Sequence, residues 1–312
     1  MSEPGAAHRS GFACFVGRPN AGKSTLTNAL VGTKVAITSD RPQTTRHAVR
    51  GIVQRENAQL VLVDTPGFHK PRTLLGQRLN DEVRSTWAEV DVIAFCLPAD
   101  EKLGPGDRFI VGEIAKSARP RTKKVAVVTK IDKATSRQQV GEQLLAVAKL
   151  GEELGIEWDE VVPVSAVADE QVELLGDLLA NLLPEGPDLY RDGELTDEPE
   201  QVMVGELVRE AALEGVYDEL PHSLAVVVEE MVPRPDRPAE RPLLDVRVTV
   251  YVERPSQKAI VIGPGGARLK AVGTQARTQI EALLGTPVFL DLHVKVAKDW
   301  QRDPKQLRKL GF

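Results

Sequence analysis

The sequence predicts an α/β domain, a mostly parallel sheet with helices on both faces, followed by a smaller α+β domain. Three observations carry this. Apolar runs of strand length alternate with helix-spaced segments through residues 11–184, the pattern of right-handed crossovers. One of the intervening turns, Gly17-Arg-Pro-Asn-Ala-Gly-Lys-Ser24, fits G-x-x-x-x-G-K-[ST] and lies between a strand and a helix. Past a proline- and glycine-rich acidic linker, 185–199, the order changes to helix, two strands, helix and strand over 200–312.

Composition sets the class. With 312 residues, 42% apolar and 27% charged, the chain is long enough for two globular domains. No apolar run approaches the roughly 20 residues of a membrane span. Residues 1–10 are small and polar, lack the apolar core of a signal peptide, and are expected to be a flexible tail. Cys14 and Cys96 both fall inside apolar runs, which argues for two buried thiols in a reducing compartment, the cytoplasm, and against a cysteine metal site. The net charge of −5 is uneven. From Val261 to Phe312 there are nine Lys or Arg against four Asp or Glu. That basic end suits a polyanionic partner or a solvated helical face.

In chain order, Phe12–Val16 reads as a buried strand and Ser24–Leu30 as the helix behind the glycine turn. Such a turn curls backbone N–H groups around anionic oxygens at a helix start. At average residue frequencies the pattern arises by chance in such a chain with a probability of roughly 1%. Lys23 is expected on the β- and γ-phosphates and Ser24 on Mg²⁺, with Gly17, Arg18, Pro19, Asn20, Ala21, Gly22 and Thr25 completing the cradle. A polar segment, 35–50, separates the helix from two paired strands, Gly51–Gln54 and Gln59–Val63. The second strand ends in Asp64-Thr65-Pro66-Gly67, where Asp64 is placed to bind Mg²⁺ through water and the Gly67 N–H to meet a γ-phosphate.

A helix over about 74–90, a strand Val92–Leu97, a helix over about 107–117 and a strand Lys124–Val128 follow. Next come a helix over about 138–154, a short strand Val161–Val164 and a helix over about 170–183. Ligands of such sheets bind at the carboxyl ends of strands. The glycine turn, Asp64, Thr129-Lys-Ile-Asp132 and Ser165-Ala166 all fall at strand ends. Thr129–Asp132 resembles the Asn/Thr-Lys-x-Asp signature with which GTPases read guanine. A carboxylate suits the paired N1–H and 2-amino donors that adenine does not present, so Asp132 takes that contact. The Lys130 stem stacks over the base, and the Ala166 N–H meets O6, next to Ser165. Most GTPases have Asn where this chain has Thr129, which implies somewhat weaker base affinity.

In the second domain, Thr196 reads as an N-cap with Pro199 at an early helical position, and a helix spans 200–213. Strands are expected over 223–231 and 244–252, a helix over 267–284, and a strand over 288–296. Ala259–Ile262, an apolar strand or helix end, runs into Gly263-Pro-Gly-Gly266. These four residues fit the G-x-x-G loop of KH domains, which hold a single nucleic-acid strand. About two such patterns are expected by chance from composition. The position, opening a basic helix with Arg268 and Lys270, gives this one its value.

Taken together, the motifs resemble the bacterial Era family of GTPases, which carry a C-terminal type II KH domain. The resemblance covers nearly the whole chain: the glycine turn, Gln43-Thr-Thr-Arg-His47, Asp64–Gly67, Ser165-Ala166, Glu219-Leu-Pro-His-Ser223 and Ile262-Gly-x-x-Gly-x-x-Leu-Lys270. The tail adds Leu292-x-Val-Lys-Val296, Trp300 and Leu310-Gly-Phe, where the family usually ends in Leu-Gly-Tyr. The resemblance implies a P-loop GTPase domain and a type II KH domain. It implies a molecular switch binding GTP or GDP with Mg²⁺, in which GTP orders 33–49 and hydrolysis releases it. Thr44 or Thr45 supplies a hydroxyl to Mg²⁺. Ras-like enzymes orient water with a glutamine where this chain has Phe68, so hydrolysis is expected to be slow. Asn20 is the candidate ligand for a stimulating K⁺; an ordinary turn residue is the other reading. RNA is implied across Gly263, Pro264, Gly265 and Gly266, with Arg268 and Lys270 on phosphates. The implied target is the 3′ end of 16S rRNA, the role small-subunit (30S) maturation, and the location cytoplasmic with peripheral contact at the inner membrane; independently of the resemblance, a monomer is expected. A competing reading is an RNA-binding assembly factor in which GTP is mainly structural; an ATPase is a third, against which Asp132 argues.

Overall fold

The computed structural model describes residues 7–39, 44–69, 71, 73–216, 220–235, 237–238 and 241–312. Gln43, Glu219 and the first six residues of the expected tail lie outside the described residues. The chain divides into two units. The first takes in the described residues up to Asp197, except Ser39, Thr44 and those of 71–78, which group with the second, Glu198–Phe312.

In the first unit, β1 (Arg9–Val16), β2 (Val49–Arg55), β3 (Ala58–Asp64), β4 (Val92–Pro98), β5 (Lys123–Thr129) and β6 (Glu160–Pro163) form one sheet. Its order is β2-β3-β1-β4-β5-β6, parallel throughout except for the antiparallel β2–β3 pair. The continuous apolar runs follow from burial on both faces. Along β1, Ala13 and Phe15 pack on one side with Leu26, Leu30, Leu175 and Leu179; Cys14 and Val16 pack on the other with Trp87, Ile110, Ile114 and Val147. The first group belongs to α1 (Lys23–Val31) and α5 (Val172–Asn181), the second to α2 (Leu74–Glu89), α3 (Pro105–Ser117) and α4 (Arg137–Leu154). Cys14 and Cys96 sit on opposite faces, both fully buried, and burial pushes both thiols up, Cys96 to about 12.

Two expectations need correcting at the edges of this unit. The tail ends before Arg9: β1 starts there, paired with Ala58, and the Arg9 N–H donates to the Asn57 carbonyl at 3.0 Å. The stretch 185–197 has no helix or strand, yet it is strapped to the unit. Buried Gln59 accepts from the N–H groups of Leu189 (2.6 Å) and Tyr190 (2.8 Å) and donates to the Tyr190 carbonyl at 2.9 Å. The Ile52 N–H donates to the Leu195 carbonyl at 2.9 Å, and Arg50 pairs with Asp197 at 2.8 Å.

The second unit runs α6 (Glu200–Leu213), a single turn α7 (Leu220–Ser223), β7 (Ala225–Pro233), β8 (Leu244–Val252), α8 (Pro255–Ile262), α9 (Ala267–Leu284), β9 (Val288–Val296) and α10 (Pro304–Lys309). The sheet order is β7-β8-β9, with β7–β8 antiparallel and β8–β9 parallel. The N-cap of α6 is Pro199, not Thr196. Ala259–Ile262 is the end of a helix the apolar run alone could not declare. Pro255 opens α8 with its φ already helical, and Gln257 folds back to accept from the N–H groups of Glu253 (2.9 Å) and Arg254 (3.0 Å). Among the described residues, no helix is long and apolar enough to cross a membrane.

Candidate functional site

The glycine turn joins β1 to α1 with little slack. A Cβ on Gly17 would lie 2.7 Å from the Cys96 carbonyl oxygen, so a side chain there would collide with β4. Asn20 and Gly22 have φ of 63° and 87°, a region that Asn and Gly enter at least cost. Lys23, buried at 6% exposure, donates to the Arg18 carbonyl at 3.0 Å and the Gly17 carbonyl at 3.4 Å. Burial pushes its pKa down, and the facing Asp64 opposes this. A buried ammonium held by two loop carbonyls has capacity left for phosphate oxygens.

Asp64, at the end of β3, is fully buried. Its Oδ2 accepts from Ser24 Oγ at 2.7 Å and Thr45 Oγ1 at 3.1 Å, and those two hydroxyls are 2.9 Å apart. Its Oδ1 is buried without a hydrogen-bond partner. Burial raises the carboxyl pKa against the pull of Ser24, Lys23 and Thr45. Two hydroxyls and an orphaned carboxylate oxygen are a hard donor set that fits Mg²⁺. Of the two threonines left open by the sequence, the structure brings Thr45 to this cluster; the Thr44 hydroxyl points to the Ser39 carbonyl at 3.5 Å.

Thr65 and Pro66 are buried behind this corner, with Thr65 Oγ1 donating to the Phe15 carbonyl at 3.0 Å. A Cβ on Gly67 would come within 2.8 Å of the Pro19 nitrogen, so only glycine lets Asp64–Gly67 lie against the turn. Phe68 is 1% exposed and packs on Trp87 at 4.9 Å and Phe109 at 5.7 Å between ring centroids. Its ring is core and handles no proton.

At the strand ends expected to read the base, Asp132 Oδ1 accepts from Ser165 Oγ at 2.5 Å, and the Ser165 oxygen in turn accepts from the Ala168 N–H at 3.0 Å. This fixes the carboxylate beside Ala166, whose backbone follows β6. Lys130 is left-handed, φ 56°, which turns Asp132 back toward β6. Thr129 has a role the sequence did not suggest: its hydroxyl donates to the Ala21 carbonyl at 2.8 Å, tying the end of β5 to the glycine turn.

Sequence reasoning missed Asp107. Its carboxylate, fully buried at the start of α3, accepts from Arg18 Nε at 2.8 Å and from the Gly104 N–H at 2.8 Å; Glu101 takes the rest of Arg18 at 2.9 Å. Gly104-Pro-Gly-Asp107 carried the signal, an acid at the third position of a helix opened by proline.

The second unit has its own site. Gly263, Gly265 and Gly266 all have positive φ, and a Cβ on Gly263 would lie 2.7 Å from the Arg268 Cβ. Pro264 lies at the tip of this loop between α8 and α9. Arg268 does not face outward as expected: its guanidinium donates to the Ala212 (3.2 Å) and Glu214 (2.7 Å) carbonyls, closing the C-terminus of α6. Lys270 is exposed and lines a groove of about 350 Å³ between α9 and β9, with Gly266, Gly273, Arg277, Phe289 and Leu292. Arg277 and Phe289 were not singled out from the sequence, where nothing marks which residues of α9 and β9 share a groove.

Comparisons with known proteins place both units. Residues 12–131 match the family described as 50S ribosome-binding GTPase, and 219–301 match the KH domain. The GTPase Era of Streptomyces coelicolor is 76% identical over 305 residues, covering 98% of this chain and 95% of that protein. The chain belongs to the Era family. The Era of Mycolicibacterium smegmatis is 64% identical over 304 residues, covering 97% of this chain and 99% of that protein. A crystal structure of Era in complex with MgGDPNP and nucleotides 1506–1542 of 16S ribosomal RNA superposes with a TM-score of 0.91 at 36% identity, covering 97% of this chain and 99% of that one. A variant of Aquifex aeolicus Era bound to GDP·AlF4⁻ superposes with a TM-score of 0.89 at 35% identity, with the same coverage of both chains. The expected architecture, a P-loop GTPase domain followed by a type II KH domain, is that of the Era fold.

Proposed function

We propose that this Era-family chain is a GTP-hydrolysing switch that binds the 3′ end of 16S rRNA and acts on the 30S subunit during its maturation in the cytoplasm. The observation that carries the reading is the cluster of Asp64, Ser24 and Thr45 beside buried Lys23, in a chain that superposes over 97% of its length on an Era holding MgGDPNP and that RNA. Lys23 neutralises the β- and γ-phosphates, while the backbone N–H groups of the turn bind their oxygens. Asp64, through water, with Ser24 and Thr45, would hold Mg²⁺, which would neutralise phosphate charge there. The Gly67 N–H meets the γ-phosphate. Asp132, fixed by Ser165, reads guanine N1–H and the 2-amino group; the Lys130 stem covers the base, and the Ala166 N–H reads O6.

Phe68 offers no group to orient water, so hydrolysis is slow and needs another source of charge stabilisation. Asn20 is the proposed ligand for a K⁺ ion in that role. Equal hydrolysis rates in KCl and NaCl at matched ionic strength would remove K⁺ from the mechanism. In the KH unit, the Gly263–Gly266 loop and Lys270 take the RNA backbone.

The reading is tested by the affinity for the 1506–1542 RNA of the chain loaded with GDP or with a non-hydrolysable GTP analogue. Tighter binding with the analogue supports the switch. Equal binding supports the alternative that the buried Phe68 favours, an assembly factor for which GTP is mainly structural. Single-turnover hydrolysis with and without RNA then separates the two.

A further inference from the structure

We propose that Asn80, buried on α2, is a positioning residue for GTP hydrolysis: it holds the His69 carbonyl and so fixes the backbone of Gly67–His69 against the glycine turn. The proposal rests on the reading above in which the Gly67 N–H meets the γ-phosphate, and it adds the residue that aims that N–H.

The glycine turn, Gly67–His69 and α2 from Leu79 onward all belong to the first unit. Asn80 lies on the face of α2 that also carries Val83 and Trp87, at i+3 and i+7, and those two pack in the core with Phe68. Asn80 itself is only 2% exposed. An asparagine side chain brings two donors and an acceptor oxygen. Among the described residues it makes one bond here: Nδ2 donates to the His69 carbonyl at 2.7 Å, while Oδ1 is buried with no partner. A buried acceptor left unpaired is destabilising. An apolar side chain would continue the stripe without that penalty, so packing does not account for the amide. The carbonyl it holds does.

That carbonyl lies two residues past Gly67, and the segment between is fixed from the other side as well. The Phe68 N–H donates to the Gly17 carbonyl at 3.3 Å, and the Gly67 backbone lies against Pro19. The His69 ring closes the segment on itself, with Nδ1 3.0 Å from the Gly67 carbonyl; a carbonyl only accepts, so that nitrogen carries the hydrogen. Residues 67–69 are thus clamped between the start of the glycine turn and Asn80, with the Phe68 ring seated on Trp87. Phe68 stands where Ras-like enzymes carry the glutamine that orients water. With no such side chain, stabilisation of charge on this side of the γ-phosphate falls to the backbone. A backbone N–H stabilises developing charge to the extent that it is aimed beforehand. Releasing the His69 carbonyl restores backbone freedom within two residues of that N–H.

The test uses the full chain and the variant Asn80→Ala, with Gly67→Ala beside it. Asn80→Ala removes the donor together with the orphaned oxygen, so its Tm should stay within about 3 °C of the wild type. Its affinity for GDP, which has no γ-phosphate, should stay within about twofold. Single-turnover hydrolysis at saturating GTP should fall about 10- to 100-fold, the range for a misplaced group beside the reacting atoms. Aluminium fluoride gives a readout that a merely structural role would not move. With GDP it stands in for the γ-phosphoryl group in transfer, and its affinity for the GDP-loaded variant should fall by a similar factor. A wild-type hydrolysis rate in Asn80→Ala, with Gly67→Ala slow, overturns the proposal and leaves the γ-phosphate reading intact. Slow hydrolysis with unchanged fluoride affinity also overturns it. An Asn80→Ala that fails to fold, or that loses GDP affinity in step with hydrolysis, makes the amide structural and overturns it too. Wild-type hydrolysis by Gly67→Ala overturns that reading and the proposal together.

Discussion

Replacing Thr45 by valine tests a choice at the nucleotide site that the sequence left open, between Thr44 and Thr45. Valine keeps the shape and removes a hydroxyl that donates to Asp64 Oδ2 at 3.1 Å and sits 2.9 Å from Ser24 Oγ. Asp64 is fully buried, so no bulk water replaces the lost donor. A hydrogen bond to a charged group contributes about 1.5–3 kcal/mol. If the same hydroxyl serves the Mg²⁺ site once GTP is bound, affinity for a non-hydrolysable GTP analogue should fall about 10- to 150-fold. On the proposed switch reading GDP orders this segment less, so GDP affinity should change by no more than about threefold. The assay is titration with a fluorescent analogue and with its GDP counterpart, each with saturating Mg²⁺ and again in chelator. In chelator the analogue difference should collapse, because the variant lacks a group that acts with the cation. Thr44→Val, whose hydroxyl faces the Ser39 carbonyl at 3.5 Å, should leave all four titrations unchanged. A loss of analogue binding in Thr44→Val with none in Thr45→Val would refute the assignment.

Other perturbations reach the remaining parts of the argument. Asp64→Asn should abolish Mg²⁺-dependent analogue binding yet raise the Tm of the nucleotide-free protein, because burial disfavours the ionised carboxyl there. The sign extends to pH. The folded pKa lies above the unfolded one, so protonation favours the fold: the nucleotide-free wild type should gain stability relative to Asp64→Asn as pH falls below neutral, and a gain on raising pH would contradict it. Gly67→Ala, whose Cβ would meet the Pro19 nitrogen at 2.8 Å, should lose hydrolysis in single-turnover assays and lower the Tm, because the backbone of one of the two turns must give way. Gly265→Asp with Gly266→Asp should abolish RNA binding in a filter assay by placing two like charges at the phosphates, and should leave GDP affinity unchanged. Cys14 and Cys96, both buried with raised pKa, should be silent to a thiol reagent at about pH 8 in the native protein and react fully in denaturant.

What was legible in the sequence follows a physical rule. Residues whose chemistry depends on their own neighbours were legible: the glycine turn from Gly17 to Ser24, Asp64 at its strand end, Asp132, and the helix starting after Gly266 all announce themselves locally. Residues whose role is set by a distant partner were not. Gln59 reads as one polar residue opening a strand, and only the fold shows that it is buried and binds the backbone of Leu189 and Tyr190, 130 and 131 residues on. Arg268 reads as a phosphate contact because it follows a glycine loop in a basic segment, but the end of α6 leaves carbonyls that need donors, and Arg268 supplies them. α8 sits between these cases: its apolar stretch is too short to declare a period, although Pro255 and Gln257 mark its start.

Thr129 carries the point furthest. Judged by the base-reading motif alone, it is a departure that weakens guanine affinity. Judged by the structure, its hydroxyl holds the Ala21 carbonyl at 2.8 Å, so the residue links the base-reading end of β5 to the phosphate turn. A threonine has one donor with which to make that bond, and it suffices for it; an asparagine would bring a second donor and an acceptor of its own. The motif therefore tolerates threonine where the essential task is to hold the turn, and on the proposed reading guanine is read by Asp132, itself fixed by Ser165. Thr129→Val should accordingly weaken GDP and GTP alike through a loosened turn, without relaxing the preference for guanine over adenine nucleotides. Asp132→Asn should relax that preference. A relaxed base preference in Thr129→Val would place base reading back on Thr129 and undo the division of labour drawn from these contacts.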